Sequence, residues 1–395
     1  MGLRIVYGKA GSGKSHFCFS EIANLINKEK KIYIITPEQF SFTAEKKLMD
    51  AIGTKAVVNA EVITLSRMAY RIVNETVGNS KKSLSKCGKA MLIYSILNKY
   101  KNKFKFLGKS DENVDLAMTA ITEFKKHGVT VENLNNEINN IEDEYIKAKL
   151  IDMNMVYEEF QNKIMDSYIE DTDLLTMLAN NIENTDFIKD SIIYIDEFSG
   201  FTYQEYQVIA KLVKLAKHVT ITMCVDELNL NTNPDTDIFY SNKTTLKKLI
   251  NFANEYNLPL EQPVKLCQMY RFKSNELKHL ESNIYNIKTN VYNEDIKDIS
   301  LFLAKNQYSE IENVAKSIYK IVKEDGVRYR EISIITKNID QYSSLVRTIF
   351  NKYKIPVFID EKRDLNQNII VQYFLSLIEI LCRNFSTESV FNYIK

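Results

Sequence analysis

The sequence predicts an α/β fold built on a parallel sheet, and three observations support this prediction. Apolar runs of strand length alternate with helical patterns in residues 1–75 and again in 188–280, as expected for a parallel sheet covered by helices. Residues 76–187 lose these runs and carry long helical patterns, as a helical insertion does. A second α/β rhythm begins near residue 296. We therefore predict a first domain of 1–75 and 188–280, a helical insertion at 76–187, and an incomplete second α/β domain at 296–395.

The individual elements follow from the same patterns, taken in chain order. In the first domain, strands are predicted at residues 3–7, 31–37, 57–65, 191–196, 219–225 and 264–269, and helices at 16–26, 41–50 and 243–256. Residues 228–237 are rich in Asn, Thr, Pro and Asp and are predicted to form a loop. In the second domain, strands are predicted at 299–304, 331–336 and 355–359, and helices at 308–323, 340–353 and 369–382.

Bulk composition limits the classes of protein that fit. The net charge of +1 means that any nucleic-acid-binding surface must be local, and no apolar run reaches the length of a membrane span. The five cysteines are scattered without CxxC spacing, which favours reduced thiols in a cytoplasmic protein over disulfides or a zinc site. A helical pattern starts near Ser386 and runs to Lys395, so we expect the chain to be the N-terminal part of a longer protein.

The glycine-rich loop, defined here as residues 8–15, matches the phosphate-loop pattern GxxxxGK[ST] at every position. Its residues are Gly8, Lys9, Ala10, Gly11, Ser12, Gly13, Lys14 and Ser15. A predicted strand precedes it and a predicted helix follows, so its backbone N–H groups and a helix N-terminus converge on one point that suits a polyphosphate. Lys14 is expected to reach the β- and γ-phosphates of ATP, and the Ser15 hydroxyl to bind Mg²⁺. The alternative is a chance glycine-rich turn.

Two acids, Asp196 and Glu197, stand at the carboxyl end of the strand predicted at residues 191–196. In parallel sheets the carboxyl ends of the strands face the ligand crevice, so this pair fits a Walker B element. Asp196 is then expected to hold Mg²⁺, and Glu197 to polarise the attacking water as general base. The alternative is a helix-capping pair after an ordinary strand.

A lysine-rich stretch between Thr76 and Ser110 contains nine lysines and no acid. Tyr94, Tyr100, Phe104 and Phe106 lie among them. Lysines along a phosphate backbone and aromatic rings for base stacking form a plausible single-stranded DNA surface. The alternative is a solvated helix face with core aromatics, and the sequence alone leaves both open. Arg67 and Arg71 are weaker candidates for backbone contact.

Arg271 follows the predicted strand at 264–269. An arginine there could reach a γ-phosphate from the neighbouring domain, as an arginine finger does. The alternative is a surface or salt-bridged arginine. The four histidines show no ligand spacing.

Taken together, these motifs resemble those of UvrD-like helicases, and most closely the AddB (RexB) branch of AddAB helicase-nucleases. Besides the glycine-rich loop and the acid pair, the resemblance is carried by segments along the whole chain. These are Thr36-Pro37-Glu38-Gln39-Phe40 with Ala44-Glu45-Lys46, Thr64-Leu65-Ser66-Arg67, Phe201-Thr202, Arg271-Phe272, Tyr329-Arg330-Glu331-Ile332 and 353–360.

The resemblance implies two RecA-like domains, bound ATP and Mg²⁺, and contact with single-stranded DNA and broken double-stranded DNA. It further implies an AddA-type helicase subunit as heterodimer partner, and a complex that unwinds and trims DNA ends for recombination and scans for the Chi sequence. The family's C-terminal nuclease domain, with its four-cysteine iron–sulfur cluster, has no counterpart before Lys395, so the cysteines here are not expected to be cluster ligands.

Departures from the motors of this superfamily make translocation by this chain doubtful. Only seven residues precede Gly8, which leaves no place for the upstream glutamine motif that reads adenine. Ser199 stands where motors carry Gln after the acid pair, and residues 223–228 lack the Gln of motif III. Nucleotide binding is still predicted, and hydrolysis is possible because Lys14, Ser15 and both acids are present. Two alternatives therefore stay open: an active helicase motor, or a non-catalytic scaffold that keeps a vestigial loop.

Overall fold

The computed structural model describes residues 2–29, 31–53, 59–76, 78, 81–107, 113–165, 167–286, 288, 290–361, 365 and 368–394. The strands among these residues are β1 Leu3–Tyr7, β2 Ile32–Ile35, β3 Ala60–Ile63, β4 Lys82–Ser83, β5 Tyr168–Ile169, β6 Ile192–Ile195, β7 His218–Met223 and β8 Val264–Lys265. The helices are α1 Lys14–Leu25, α2 Ser41–Ile52, α3 Leu65–Thr76, α4 Lys86–Lys99, α5 Asn113–Lys126, α6 Val131–Asn140, α7 Glu144–Ile164, α8 Asp171–Asn181, α9 Tyr203–Leu215, α10 Tyr240–Glu255, α11 Asn275–Asn283, α12 Gln307–Glu324, α13 Ile339–Lys352, α14 Ile369–Cys382 and α15 Thr387–Ile394. Contacts divide the chain into two units, Met1–Glu294 and Asp295–Lys395.

A six-stranded sheet in the order β3-β2-β6-β7-β1-β8 organises the first unit. All of its paired strands are parallel, so the predicted α/β fold with a parallel sheet is confirmed. The carboxyl ends of β1 and β6 therefore lie at one edge, separated by β7. Several predicted strands differ in length. β2 and β7 each end two residues before the predicted end, and β3 covers only Ala60–Ile63 of the predicted 57–65. Residues 57 and 58 lie outside the described residues, and β8 ends at Lys265 rather than at residue 269.

The two faces of the sheet bury different apolar clusters because successive strand residues point to opposite sides. Along β6, Ile192 and Tyr194 pack with the apolar faces of α1 and α2. Ile193 and Ile195 pack on the other side with α3, α8, α9 and α10. A strand buried on both faces must be apolar at every position, which explains the continuous apolar run that marks β6 in the sequence.

The helical segment between β4 and β5 has a core of its own. Residues from α4, α5 and α7, with the turn at 104–107, form one buried cluster. The next helix, α8, belongs instead with the sheet, since Leu178 and Ala179 are buried in the cluster that covers β6 and β7. The long helical patterns predicted for this part of the chain are therefore real helices.

The second unit forms the predicted helices, but the three predicted strands there are wrong. The helices α12, α13 and α14 match the predicted bounds within two residues. Among the described residues of this unit, none is in a strand, and Tyr329–Glu331 forms a 3₁₀ turn. Leu301 and Leu303 are 99% and 95% exposed, and Ile335 is 94% exposed. An apolar run favours burial, but a strand also needs a neighbouring backbone to bond to, and these segments have none here.

Candidate functional site

The glycine-rich loop connects β1 to α1 in a backbone conformation that suits glycine. Gly11 and Gly13 have φ values of +84° and +86°, where side chains with a Cβ are strained. The Gly8 N–H donates to the Met223 carbonyl at 3.3 Å, which ties the loop to the end of β7. The Phe17 N–H donates to the Gly13 carbonyl at 2.8 Å and closes the first turn of α1. The loop thus places the N-terminus of α1 at the carboxyl edge of the sheet.

Lys14 and Ser12 turn into this loop. The Lys14 ammonium donates to the carbonyl oxygens of Gly8 and Lys9, each at 2.9 Å. The Ser12 hydroxyl is buried and has no hydrogen-bond partner among the described residues. A cation and an unpaired hydroxyl in this loop, at the N-terminus of α1, form an arrangement that can accept an anion.

The acid pair lies beside the loop, as the sequence predicts. Asp196 is buried, accepts a hydrogen bond from the Thr222 hydroxyl, and donates its own N–H to the Ile35 carbonyl at 3.0 Å. Glu197 has a φ of +66°, a conformation that non-glycine residues seldom adopt. The Ser15 hydroxyl donates to a Glu197 carboxylate oxygen at 3.1 Å. The fold therefore brings the predicted general base, Glu197, into contact with the Ser15 hydroxyl that was predicted to bind the metal.

Arg271 lies on the first unit itself, so its predicted approach from the neighbouring domain is wrong. The Tyr270 N–H donates to the Gly11 carbonyl at 3.0 Å, and a methyl group at Gly11 would lie 2.5 Å from the Cβ of Arg271. Farther along, the Lys9 ammonium is 3.3 Å from the Glu281 carboxylate on α11. Because β8 pairs with β1 and then stops, the chain after it passes directly over the glycine-rich loop.

A cavity of about 480 Å³ opens beside the loop, and no pattern in the sequence predicts it. Its lining combines the start of α1 with the segment after β8: Ser12, Gly13, His16, Phe17, Ser20, Lys265, Leu266, Cys267, Gln268 and Tyr270. The Tyr270 ring is 68% exposed, and a methyl group at Gly13 would lie 3.1 Å from it. In the sequence, Tyr270 is only an aromatic residue next to Arg271. Its place in the cavity wall follows from the pairing of β8 with β1, which the sequence does not show.

Most of the aromatic rings in the lysine-rich stretch pack in the helical core, so they do not form a surface on which bases could stack. Phe104 is buried in the helical cluster, and Tyr100 and Phe106 pack against it, so these rings are core aromatics. Tyr94 is 48% exposed. Lys89 is itself buried in an ion pair with a carboxylate. Lys109 and Ser110 lie outside the described residues.

Exposed aromatic and basic side chains lie on α2 and α3, the helices that follow β2 and β3. Phe42, near the start of α2, is 76% exposed, and Tyr70 on α3 is 56% exposed. The side chain of Arg67, one turn before Tyr70, is 65% exposed and lies 4.0 Å from Glu45. Arg71 is instead held by Glu61 at 2.9 Å. Of the two predicted backbone contacts, Arg67 is the more available.

Comparison with known proteins places this site in a family. The family model described as the N-terminal part of ADDB matches residues 5–281, well over half of the chain. The chain belongs to the AddB family. The matched region contains every element that builds the site described above, from β1 through most of α11.

Members of the AddB family resemble this chain from end to end. Proteins named as the B subunit of an ATP-dependent helicase/deoxyribonuclease are 39% identical over 407 residues in Clostridium tetani, 40% over 404 in Acetivibrio thermocellus and 38% over 404 in Clostridium botulinum. Each alignment covers 100% of this chain and 35% of the relative. The chain thus spans about a third of the length of the curated relatives it matches.

None of the helices that the described residues form has both the length and the apolar composition that a membrane span requires.

Proposed function

We propose that this chain binds a nucleoside triphosphate with Mg²⁺ at the glycine-rich loop, and single-stranded DNA nearby, as the helicase-like part of a helicase-nuclease subunit. One observation carries the nucleotide half of the proposal. The Ser15 hydroxyl and the Glu197 carboxylate, 182 positions apart in sequence, are 3.1 Å apart in the fold. This juxtaposition of loop hydroxyl and strand-end acid is what a metal-bound triphosphate requires.

The residues present fit such a ligand part by part. The loop amides, the N-terminus of α1 and Lys14 suit the phosphates, and the unpaired Ser12 hydroxyl offers one more donor. Ser15 and Asp196 would hold Mg²⁺, which when bound neutralises phosphate charge. The cavity beside Gly13, with the exposed Tyr270 ring on one wall, suits a planar base. Glu197, in contact with Ser15, would accept a proton from a water there, and Arg271, whose side chain lies next to Gly11, would approach the phosphates.

Thermal unfolding with and without Mg-ATP tests nucleotide binding. A ligand that binds only the folded state raises its melting temperature, by an amount equivalent to about 2.7 kcal/mol at a hundredfold excess over Kd. We expect Lys14→Ala to lose this shift. Lys28→Ala, an exposed lysine just after α1, is the matched control and should keep it. Absence of a shift in the wild-type protein would favour the vestigial-loop alternative.

The DNA half of the proposal rests on Phe42, Arg67 and Tyr70, which are exposed on α2 and α3. Exposed rings that can stack on bases, with a basic side chain beside them for the phosphates, suit a single strand of any sequence. Fluorescence anisotropy with a labelled single-stranded oligonucleotide tests it. Phe42→Ala and Tyr70→Ala should each weaken binding by roughly five- to a hundredfold, from about 1–3 kcal/mol per stacked base. Tyr285→Ala, which removes a ring 67% exposed elsewhere, should not.

We further propose that the chain acts with an AddA-type helicase subunit on broken double-stranded DNA ends, in the cytoplasm, and contributes to Chi recognition. Support comes from the names of its relatives and from the family match. ATPase rates with and without single-stranded DNA distinguish a helper from a motor. Weak stimulation in the isolated chain and strong stimulation only with the partner subunit support a helper. Strong DNA stimulation of the isolated chain would instead show a motor in its own right.

A further inference from the structure

The Glu197 carboxylate is held from two sides. On one side it accepts the hydrogen bond from Ser15 at 3.1 Å. On the other, the same oxygen, Oε1, lies 3.9 Å from the ammonium of Lys47 on α2. Lys47 is the nearest cation paired with this acid among the described residues, and no role was predicted for it from the sequence.

The fold explains how a residue of α2 reaches the end of β6. β2 and β6 are hydrogen-bonded neighbours with Ile35 opposite Ile195, so α2 begins close to the acid pair. Ala44 and Leu48 anchor α2 on the sheet with the buried face of the helix. Lys47 precedes Leu48 and flanks that face. Lys46, rotated by about 100° from Lys47, is exposed and has no ion pair among the described residues.

We propose that Lys47 is a positioning residue of the nucleotide site, which acts by holding the Glu197 carboxylate on the Ser15 hydroxyl. This proposal rests on the proposed nucleotide function. Lys47 offsets one of the two negative charges at the end of β6, so the charge that the site presents to Mg²⁺ is set by three side chains: Asp196, Glu197 and Lys47. The ion pair also keeps Glu197 on Ser15 until another cation competes for it.

The charge balance gives a direction for the effect of removing Lys47. In Lys47→Ala, the Glu197 carboxylate faces the metal position without its neighbouring cation, so less Mg²⁺ is needed to support nucleotide binding. Both side chains of the ion pair are partly exposed, at 49% and 39%, so solvent weakens the interaction and the effect is modest. We expect roughly a three- to tenfold decrease in the Mg²⁺ concentration for half-maximal stabilisation.

A thermal-shift titration measures this without reference to turnover. The full chain is melted with a fixed concentration of a non-hydrolysable ATP analogue while Mg²⁺ is varied, for the wild type, Lys47→Ala, Lys47→Arg and Lys46→Ala. The Mg²⁺ midpoint should fall for Lys47→Ala alone, since arginine keeps the charge and Lys46 lies on another face of α2. In a Glu197→Gln background the same lysine substitution should have no effect, because Lys47 acts through that carboxylate.

The outcomes separate this proposal from the function on which it rests. If the wild type is stabilised by nucleotide but Lys47→Ala behaves like Lys46→Ala, the role of Lys47 is refuted and the nucleotide site stands. If the effect of Lys47→Ala persists with Gln at position 197, Lys47 acts directly on the ligand and the positioning role is refuted. If nucleotide does not stabilise the wild type at any Mg²⁺ concentration, the nucleotide function fails, and the role of Lys47 fails with it.

Discussion

A buried charge cluster between α5 and α8 offers a sharp test of how the helical segment is held to the sheet. The side chain of Lys125 on α5 is only 3% exposed. Its ammonium lies 2.7 Å from Glu170 and 2.8 Å from Asp173. Glu170 also pairs with Lys89 on α4. The perturbation we consider is Lys125→Met, which keeps the length of the side chain and removes its charge.

The structure indicates how large the effect should be. Removing one partner of a buried ion pair costs about 3–5 kcal/mol, because the remaining charge is left in a poorly solvated place. Burial alone would raise the pKa of Glu170, but Lys125 and Lys89 together hold it below its ordinary value. Glu170 therefore keeps one partner after the substitution, whereas Asp173 loses its only ion-pair partner among the described residues. We expect a loss near the lower end of that range, about 3 kcal/mol.

Urea denaturation followed by circular dichroism measures this loss. With a slope of about 3 kcal/mol per molar urea, the unfolding midpoint should fall by roughly 1 M. Lys126→Met is the matched control: the Lys126 side chain is 42% exposed and pairs with Glu123 at 3.0 Å, so its loss should change stability by about 0–1 kcal/mol. The double variant Lys125→Met with Asp173→Asn should recover much of the loss. Equal midpoints for Lys125→Met and Lys126→Met would refute this account of the cluster.

The same variant should show a characteristic pH dependence. Burial raises the pKa of Asp173 above its ordinary value, and Lys125 opposes that rise. Without Lys125 the pKa should rise further, and a carboxyl with a raised folded-state pKa stabilises the fold more as the pH falls and it takes up a proton. The deficit of Lys125→Met relative to wild type should therefore shrink as the pH is lowered from neutrality. A deficit that grows on acidification would contradict the assignment.

Three further predictions address single positions. Asp152 accepts hydrogen bonds from the backbone N–H groups of residues 105, 106 and 107, at 3.3, 2.6 and 3.0 Å. Asp152→Ala should therefore lower the free energy of unfolding, measured by urea denaturation, by on the order of 3 kcal/mol. A change below about 1 kcal/mol would refute this role of Asp152. Burial lowers the pKa of His218 from its ordinary value of 6.5, so wild-type stability should fall as the pH drops through and below 6.5, and His218→Gln should remove that part of the pH dependence. A methyl group at Gly8 would lie 2.5 Å from the Leu266 carbonyl oxygen. Gly8→Ala should therefore lower the melting temperature and abolish the rise in melting temperature caused by Mg-ATP. Gly53 has a positive φ but open space around it, so Gly53→Ala should leave the effect of Mg-ATP intact.

The sheet of the first unit was predictable because its strands are buried on both faces. Such strands are apolar along most of their length, so β2 and β6 are visible as uninterrupted apolar runs in the sequence. The glycine-rich loop was equally visible, since its glycines are required by positive φ angles that other residues avoid. The order of the strands could not be obtained in this way, because it depends on which backbones pair over long sequence separations.

The errors arose where a local pattern has two physical causes. An apolar run of strand length predicted a strand at 299–304, but Leu301 and Leu303 are exposed and unpaired in the second unit. In the lysine-rich stretch, aromatic residues among lysines fitted base stacking, whereas Phe104 faces the helical core and Lys89 neutralises a buried carboxylate. In each case the residue types fitted the predicted structure or function. The role of each side chain, however, depends on which residues surround it in the fold.

The segment after β8, which covers the candidate nucleotide site, shows most clearly what could not be predicted from the sequence. β8 contributes only Val264 and Lys265, yet its pairing with Val6 and Tyr7 carries the following residues over the glycine-rich loop. Without that pairing, Tyr270 would be one exposed aromatic residue among many, and the cavity beside Gly13 would have no second wall. A phosphate-binding motif can be recognised from eight consecutive residues, because one turn of backbone provides most of its donors. The surroundings that select a base, a metal and a charge state come from residues that are distant in sequence. A structure is therefore needed to identify Tyr270 and Lys47, while the loop itself could be identified without one.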